Sequence, residues 1–199
     1  QGSITFIFFL SLIFFTICFE WFKMTKKKEV IRILGLFFLF YSFYTAIYLR
    51  QYVGLNFFFF LIVICVFTDI GGYLFGKVLK GPKLTKISPN KTYSGVVGSF
   101  FLSLIAGFLY IKYLGQKSRI LLNNDPEFVI LMILFISLVS QIGDLIISYF
   151  KRQAKLKNTG KILPGHGGFL DRFDGVIFVL PVTYLIVIPI LIIKLDLIK

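Results

Sequence analysis

The chain has 199 residues, 57% of them apolar and 19% aromatic, with a mean hydropathy of +0.87. Soluble domains carry roughly 45 to 50% apolar residues, so composition excludes an ordinary water-soluble fold. The net charge of +13 would suggest nucleic acid in a soluble protein. Here the basic residues fall in short stretches between long apolar blocks, which points to a membrane protein with no nucleic-acid partner.

An apolar block of about 18 residues or more spans a bilayer as a helix. Six blocks qualify: Ile4 to Trp21, Ile31 to Leu49, Gly54 to Gly76, Gly95 to Ile111, Phe128 to Phe150 and Phe173 to Ile193. The fold class expected is therefore all-α and polytopic, with about six transmembrane helices. The first block has no basic leader and no small-residue cleavage site, so it reads as a span rather than a signal peptide. Residues 1–53 form N-terminal spans in this reading, and 54–199 a catalytic membrane domain with polar loops at 77–94 and 151–172.

Alternate loops carry unequal charge. Lys23, Lys26, Lys27, Lys28, Arg32, Lys77, Lys80, Lys83, Lys86, Lys91, Lys151, Arg152, Lys155, Lys157, Lys161 and Arg172 share one side, which leaves six of the 22 Lys and Arg on the other. The positive-inside rule makes the crowded side cytoplasmic and puts both termini outside. The Lys23 to Lys28 cluster reads as a topology signal in contact with anionic headgroups. Cys18 and Cys65 lie within spans and lack metal-ligand spacing, so both read as small buried side chains.

Nine acidic residues carry more information, because a carboxylate in hydrocarbon persists only with a partner or in a wet cavity. Glu20, Glu29, Asp125, Glu127 and Asp196 read as ordinary loop or end residues. Asp69, Asp144, Asp171 and Asp174 lie within spans or at their basic ends, all toward one membrane face. Gln141, Asp144 and Ser148 follow i, i+3, i+7 spacing and so form a polar stripe on one helix. Beside Asp69, Gly72 and Gly76 permit close helix approach. Carboxylates clustered with Lys and Arg suit a hard cation plus phosphate, since the metal takes oxygen ligands and the side-chain cations take phosphate oxygens.

The segment from Ser148 to Asp174 is the most informative. Pro164, Gly165, Gly167 and Gly168 forbid a regular helix and let backbone approach a ligand. His166, the only histidine, sits among glycines with little core to pack in, which favours substrate contact. Ser148, Lys151, Arg152, Lys157, Gly160, Pro164, His166, Gly167, Gly168, Asp171, Arg172 and Asp174 stand at the spacing of the CDP-diacylglycerol synthase (phosphatidate cytidylyltransferase) signature, which the chain thus resembles. Thr68-Asp69-Ile70-Gly71-Gly72-Tyr73, Phe75-Gly76-Lys77 and Ser88-Pro89-Asn90-Lys91-Thr92 extend the resemblance over about residues 60 to 185. Three positions depart from it, each losing a negative charge: Ile147 and Ser94 stand where the family has Glu, and Asn158 where it has Asp.

The resemblance implies cytidylyl transfer from CTP to phosphatidic acid in phospholipid biosynthesis, with CDP-diacylglycerol and pyrophosphate as products. It further implies a homodimer in the cytoplasmic membrane, its active site facing the cytoplasm and magnesium held by Asp144 and Asp171. In that scheme Asp144, Asp171, Lys151 and Arg172 are catalytic. Lys151, Arg152, Lys157 and Arg172 take phosphate oxygens, as do Ser88, Lys91 and Thr92 at a second location. Ser148 and His166 contact substrate, Gly167 and Gly168 approach the nucleotide, and Asp69 and Asp174 organise metal or lysines. The same core pattern recurs in CTP-using cytidylyltransferases and kinases acting on other membrane lipids, an alternative that changes the acceptor. A transporter is disfavoured by the lack of evident inverted repeats.

Overall fold

The computed structural model describes residues 2–85, 88, 90–114, 125–160, 162 and 167–196. Pro164, Gly165 and His166 lie outside the described residues, so the expectations placed on them do too. The chain is an all-helical polytopic membrane protein. Helix α1 covers Gly2–Met24, α2 Glu29–Tyr48, α3 Leu55–Leu79, α4 Tyr93–Tyr113 and α5 Pro126–Gln153; a short α6, Leu170–Phe173, precedes α7, Val176–Asp196. Helices α1 to α5 are long and apolar enough to cross a bilayer, α2 by continuing through a π-helical turn at Leu49–Val53, while α7 is apolar over Val176–Pro189 and contains Pro181 and Pro189. All six expected blocks are helical, most extending a turn or so into their polar flanks, because a helix satisfies its own backbone wherever it lies.

Local chemistry sets the ends. Pro126 occupies the first turn of α5, where its missing N–H costs nothing. Thr92 caps α4, accepting the Gly95 N–H at 3.1 Å. Between α3 and α4 the chain doubles back through the antiparallel Lys83–Thr92 bridge.

Helix α3 is the hub. Its Phe57, Phe60, Leu61 and Ile64 are fully buried with Ile133 of α5, and Val179 of α7 joins the same cluster. Against α4 it packs through small residues. A Cβ on Gly71 would stand 2.4 Å from the Gly98 carbonyl oxygen, and one on Gly95 would stand 2.7 Å from that of Gly72. In lipid, where burial of apolar area offers little between helices, such backbone-to-backbone contact supplies the packing. A second cluster joins Phe14, Ile17 and Trp21 of α1 to Leu39, Ile147, Leu170 and Ile177. Phe8, Phe15, Phe19, Phe37 and Phe40 point outward, as a lipid-solvated surface requires.

The loops after α1, α3 and α5 gather at one end of the bundle. Lys28 Nζ donates to Gln153 Oε1, Lys91 Nζ meets Asp144, and Thr159 Oγ1 donates to Glu20. The basic stretches assigned to one side by charge alone are therefore together in space.

Candidate active site

Gln141, Asp144 and Ser148 face one way near the end of α5, as their spacing predicts. Gln141 and Asp144 line a cleft of about 560 Å³ together with Asp69, Ser88, Lys91, Thr92, Lys151, Asp171, Arg172 and Asp174. Ser148 stands behind it, donating to Asp144 Oδ1 at 3.2 Å. Four acids from three separated segments thus share one cavity with three of the predicted cations.

Each acid is placed by identifiable features. Asp144 Oδ2 is 2.5 Å from Lys91 Nζ, which the turn between α3 and α4 carries across the top of α5. Asp174 is 5% exposed and within hydrogen-bonding reach of Asp144. That closeness depends on two glycines. A Cβ on Gly143 would stand 2.8 Å from the Asp174 carbonyl oxygen, and one on Gly175 would stand 2.2 Å from Ser140 Oγ. Without side chains at 143 and 175, the turn entering α7 settles directly on α5.

Asp171 is held by its own loop. Its Oδ1 accepts from Lys151 Nζ at 2.9 Å, a pair of which each side chain is at most 12% exposed. Its Oδ2 accepts the N–H groups of Thr159 at 2.8 Å and Gly168 at 3.0 Å, and lies 3.1 Å from the Thr159 hydroxyl. Burial works to raise the Asp171 pKa, but the Gly168 and Thr159 amides and the Lys151 ammonium outweigh it and hold the carboxyl below its usual range. Gly167 has φ +87°, a conformation open to glycine, and a Cβ there would stand 2.8 Å from Asp171 Oδ2. The glycine pair expected to approach a nucleotide therefore closes around Asp171, and the Gly168 amide is already engaged there.

Other expected contacts fall elsewhere. Arg152 is on the outer side of the α5 terminus, with Nη1 donating to the Leu156 carbonyl at 3.3 Å. Lys157 lines a second cavity, of about 950 Å³, whose rim also carries Lys23, Lys26, Lys27, Lys28 and Lys155. Among the described residues no carboxylate lines it, and Met24, Ile31, Phe150 and Leu156 add apolar lining. The Lys23 to Lys28 cluster, read from sequence as a topology signal, thus forms part of a concave basic surface. The stretch ending in Thr159 and Gly160 borders this cavity, and the Thr159 amide holds Asp171 of the cleft.

Sequence reasoning missed Glu20. It is 2% exposed, and its carboxylate accepts the Phe169 N–H at 3.1 Å, the Leu170 N–H at 2.9 Å and the Thr159 hydroxyl at 2.8 Å. Position at the polar end of a span made it look like an ordinary terminal residue. The available signal was helical spacing: Glu20 lies three positions after Ile17 and four before Met24, both buried.

The remaining acceptor capacity bears on metal binding. Among the described residues Asp171 Oδ1 accepts from Lys151 Nζ, Asp144 Oδ1 accepts from Ser148 Oγ, and Asp144 Oδ2 lies against Lys91 Nζ; a carboxylate has about four lone-pair sites, so Asp144 and Asp171 each keep acceptor capacity for a cation. Among the described residues no group of three Asp, Glu, Cys or His side chains surrounds a common point. Two carboxylates completed by substrate phosphates is a pattern that suits magnesium.

Known proteins match this chain in sequence. The chain is similar to phosphatidate cytidylyltransferases from Staphylococcus aureus (strain COL), 44% identical over 138 residues, and Bacillus subtilis (strain 168), 41% identical over 137 residues, with 68% of this chain covered in each case. A phosphatidate cytidylyltransferase of Staphylococcus saprophyticus is 38% identical over 138 residues, 69% of this chain. These matches cover 50%, 48% and 51% of the respective relatives, so the chain spans about half their length. The model of the cytidylyltransferase family matches residues 1–189, and with nearly the whole chain covered and the motif acids in one cleft, the chain belongs to that family.

Proposed function

We propose that this chain carries the catalytic centre of a phosphatidate cytidylyltransferase, which converts CTP and phosphatidic acid to CDP-diacylglycerol and pyrophosphate. The observation that carries the reading is the single cleft in which Asp69, Asp144, Asp171 and Asp174 meet Lys91, Lys151 and Arg172. The names of the relatives agree with it. In the reaction a phosphate oxygen of the lipid attacks the α-phosphorus of CTP. A new P–O–P link forms, the bond to the bridging α–β oxygen breaks, and its electron pair leaves with pyrophosphate. The obstacle is an anion approaching a polyanion.

Asp144 and Asp171 are the residues that would hold magnesium, which when bound draws charge from the nucleotide phosphates. Lys91 and Lys151, each paired with one of these carboxylates, are within reach to exchange carboxylate for phosphate oxygen as ligands enter. Arg172 adds a planar donor at the same rim. Asp174 and Asp69, on the same cleft wall, would organise the metal or the lysines around it. The end of the bundle bearing the cleft faces the cytoplasm in this reading, supported by the sixteen basic residues that the sequence assigns to one side against six on the other.

The test is magnesium-dependent turnover of radiolabelled CTP with phosphatidic acid, polyprenol or an ether-lipid phosphate as acceptor, read as pyrophosphate release for cytidylyl transfer and as CDP release for phosphoryl transfer to the alcohol. Phosphatidic acid is expected to support turnover, and release only with another acceptor would reassign the substrate. Asp144→Asn should lower turnover by about a hundredfold or more, with monodisperse elution in detergent retained. Wild-type turnover in that variant would overturn the metal assignment.

A further inference from the structure

Glu20 belongs to the first span, remote in sequence from every segment that lines the cleft, yet it makes three contacts with the loop that carries Asp171. Its partners are 139, 149 and 150 residues away. They lie on both arms of that loop: Thr159 on the arm leaving α5, and Phe169 and Leu170 at the start of α6. One carboxylate therefore ties the two arms together from beneath.

The fit leaves no slack. A Cβ on Gly160 would stand 2.3 Å from Glu20 Oε1, and a Cβ on Gly168 would stand 2.3 Å from Oε2. Both arms bring bare backbone against this one side chain. The same Thr159 hydroxyl lies 2.8 Å from Glu20 and 3.1 Å from Asp171 Oδ2. One hydroxyl proton thus faces two carboxylates, and Glu20 sets how Thr159 meets Asp171. Around it Ile17, Trp21, Met24 and Leu170 exclude water. In such surroundings a carboxylate with three donors is rigidly oriented, and one deprived of them would not remain buried.

We propose that Glu20 is a positioning residue for Asp171: it fixes the loop so that Asp171 Oδ1 is presented to the cleft, without itself touching substrate or metal. This rests on the assignment of Asp171 to magnesium above. It makes the first span part of the active-site apparatus rather than an anchor, and it gives Gly160 and Gly168 a common reason, since each clears space for the same carboxylate.

The experiment compares wild type, Glu20→Ala, Glu20→Gln and Thr159→Val in purified full chain. Turnover is measured against magnesium and against each substrate, together with thermal unfolding and amide hydrogen exchange of the metal-free protein. Loss of a residue orienting a metal ligand typically costs 10- to 100-fold in metal affinity or activity. Glu20→Ala is expected to raise the magnesium concentration for half-maximal turnover by about tenfold or more, with the KM values for CTP and lipid within about twofold. Thr159→Val, close in shape, should shift magnesium dependence in the same direction by a smaller factor. Glu20→Gln, which keeps one acceptor oxygen, should fall between wild type and Glu20→Ala.

Exchange at the Thr159, Phe169 and Leu170 amides should accelerate in Glu20→Ala, a readout that needs no activity. Unchanged exchange there overturns the positioning role whether or not the protein transfers cytidylyl groups. Wild-type magnesium dependence in both Glu20→Ala and Thr159→Val overturns it too, as does a turnover loss in all variants that tracks unfolding temperature with no change in magnesium dependence. If the wild type itself fails to turn over while exchange responds as expected, the functional reading falls and the loop-positioning role stands.

Discussion

Ile147 stands where the resembled family carries Glu, immediately before Ser148 and on the side of α5 turned away from the cleft. It is 2% exposed and packs in the cluster that holds Trp21 and Leu170, the same neighbourhood that encloses the Glu20 carboxylate. Placing Glu at 147 would bury a second carboxylate within that apolar cluster. Burial of an uncompensated polar group costs about 1 to 3 kcal/mol, and more when it is charged. Ile147→Glu should therefore lower the thermal unfolding temperature in detergent by several degrees, and an unchanged or raised value would show that a partner is at hand. Ser94, the second such position, is engaged locally, its Oγ 2.9 Å from Thr92 Oγ1 at the α4 cap. At the third, the Asn158 side chain borders Gly167, 3.3 Å from where a Cβ on that glycine would lie.

Among elements, the crossing of α3 with α4 governs the cleft's near wall. Asp69 is two residues from Gly71 on α3, and Lys91 and Thr92 lead directly into α4, so the crossing positions groups of opposite charge at once. The sequence reading picked out Gly72 and Gly76 for close approach. Both lie at the contact, with added Cβ atoms 2.9 Å from Ser99 Oγ and 3.1 Å from Thr92 Oγ1, but Gly71 meets the opposing backbone itself. Flexible hydroxyls can yield where a carbonyl cannot. Gly71→Leu should destabilise the protein by about 1 to 3 kcal/mol or more through overpacking, and lower turnover by displacing Asp69 from the cleft it lines. Thermal unfolding and assay in detergent check both, and wild-type values for the pair would mean the helices can part without consequence. The hairpin of α1 and α2 is tied differently, by Trp21 Nε1 donating to the Arg32 carbonyl at 3.1 Å.

On the scale of the whole molecule, charge is distributed so that two cavities at one end share a loop. The lysine-rimmed cavity draws anions by its field, and concave surfaces lined by one sign raise local ligand concentration in a salt-dependent way. A triple replacement Lys26→Gln, Lys27→Gln and Lys155→Gln should raise KM for CTP by about three- to tenfold at low salt and flatten its dependence on ionic strength. The value of kcat should be unchanged, because none of the three lines the aspartate cleft. Steady-state kinetics at two salt concentrations decides it; an unaltered KM at low salt would confine those lysines to topology and headgroup contact.

How much of this was legible beforehand follows from the range of the forces concerned. Removing apolar residues from water is a cost summed along the chain, so the spans, the all-helical class and the pairing of basic loops could be read from one sequence. Short-range spacing also reached the Gln141–Asp144–Ser148 stripe and the set of cleft aspartates. It did not reach Glu20, whose meaning depends on donors at least 139 residues away. Nor did it separate Lys157 from the aspartates, or find that the Gly168 amide serves Asp171, because both depend on how a glycine-rich loop closes. Hydrophobic length specifies which segments lie in lipid. Which polar atoms then meet is decided by backbone contact between helices, and small residues such as Gly71, Gly143 and Gly175 exert that control only once the chain has folded.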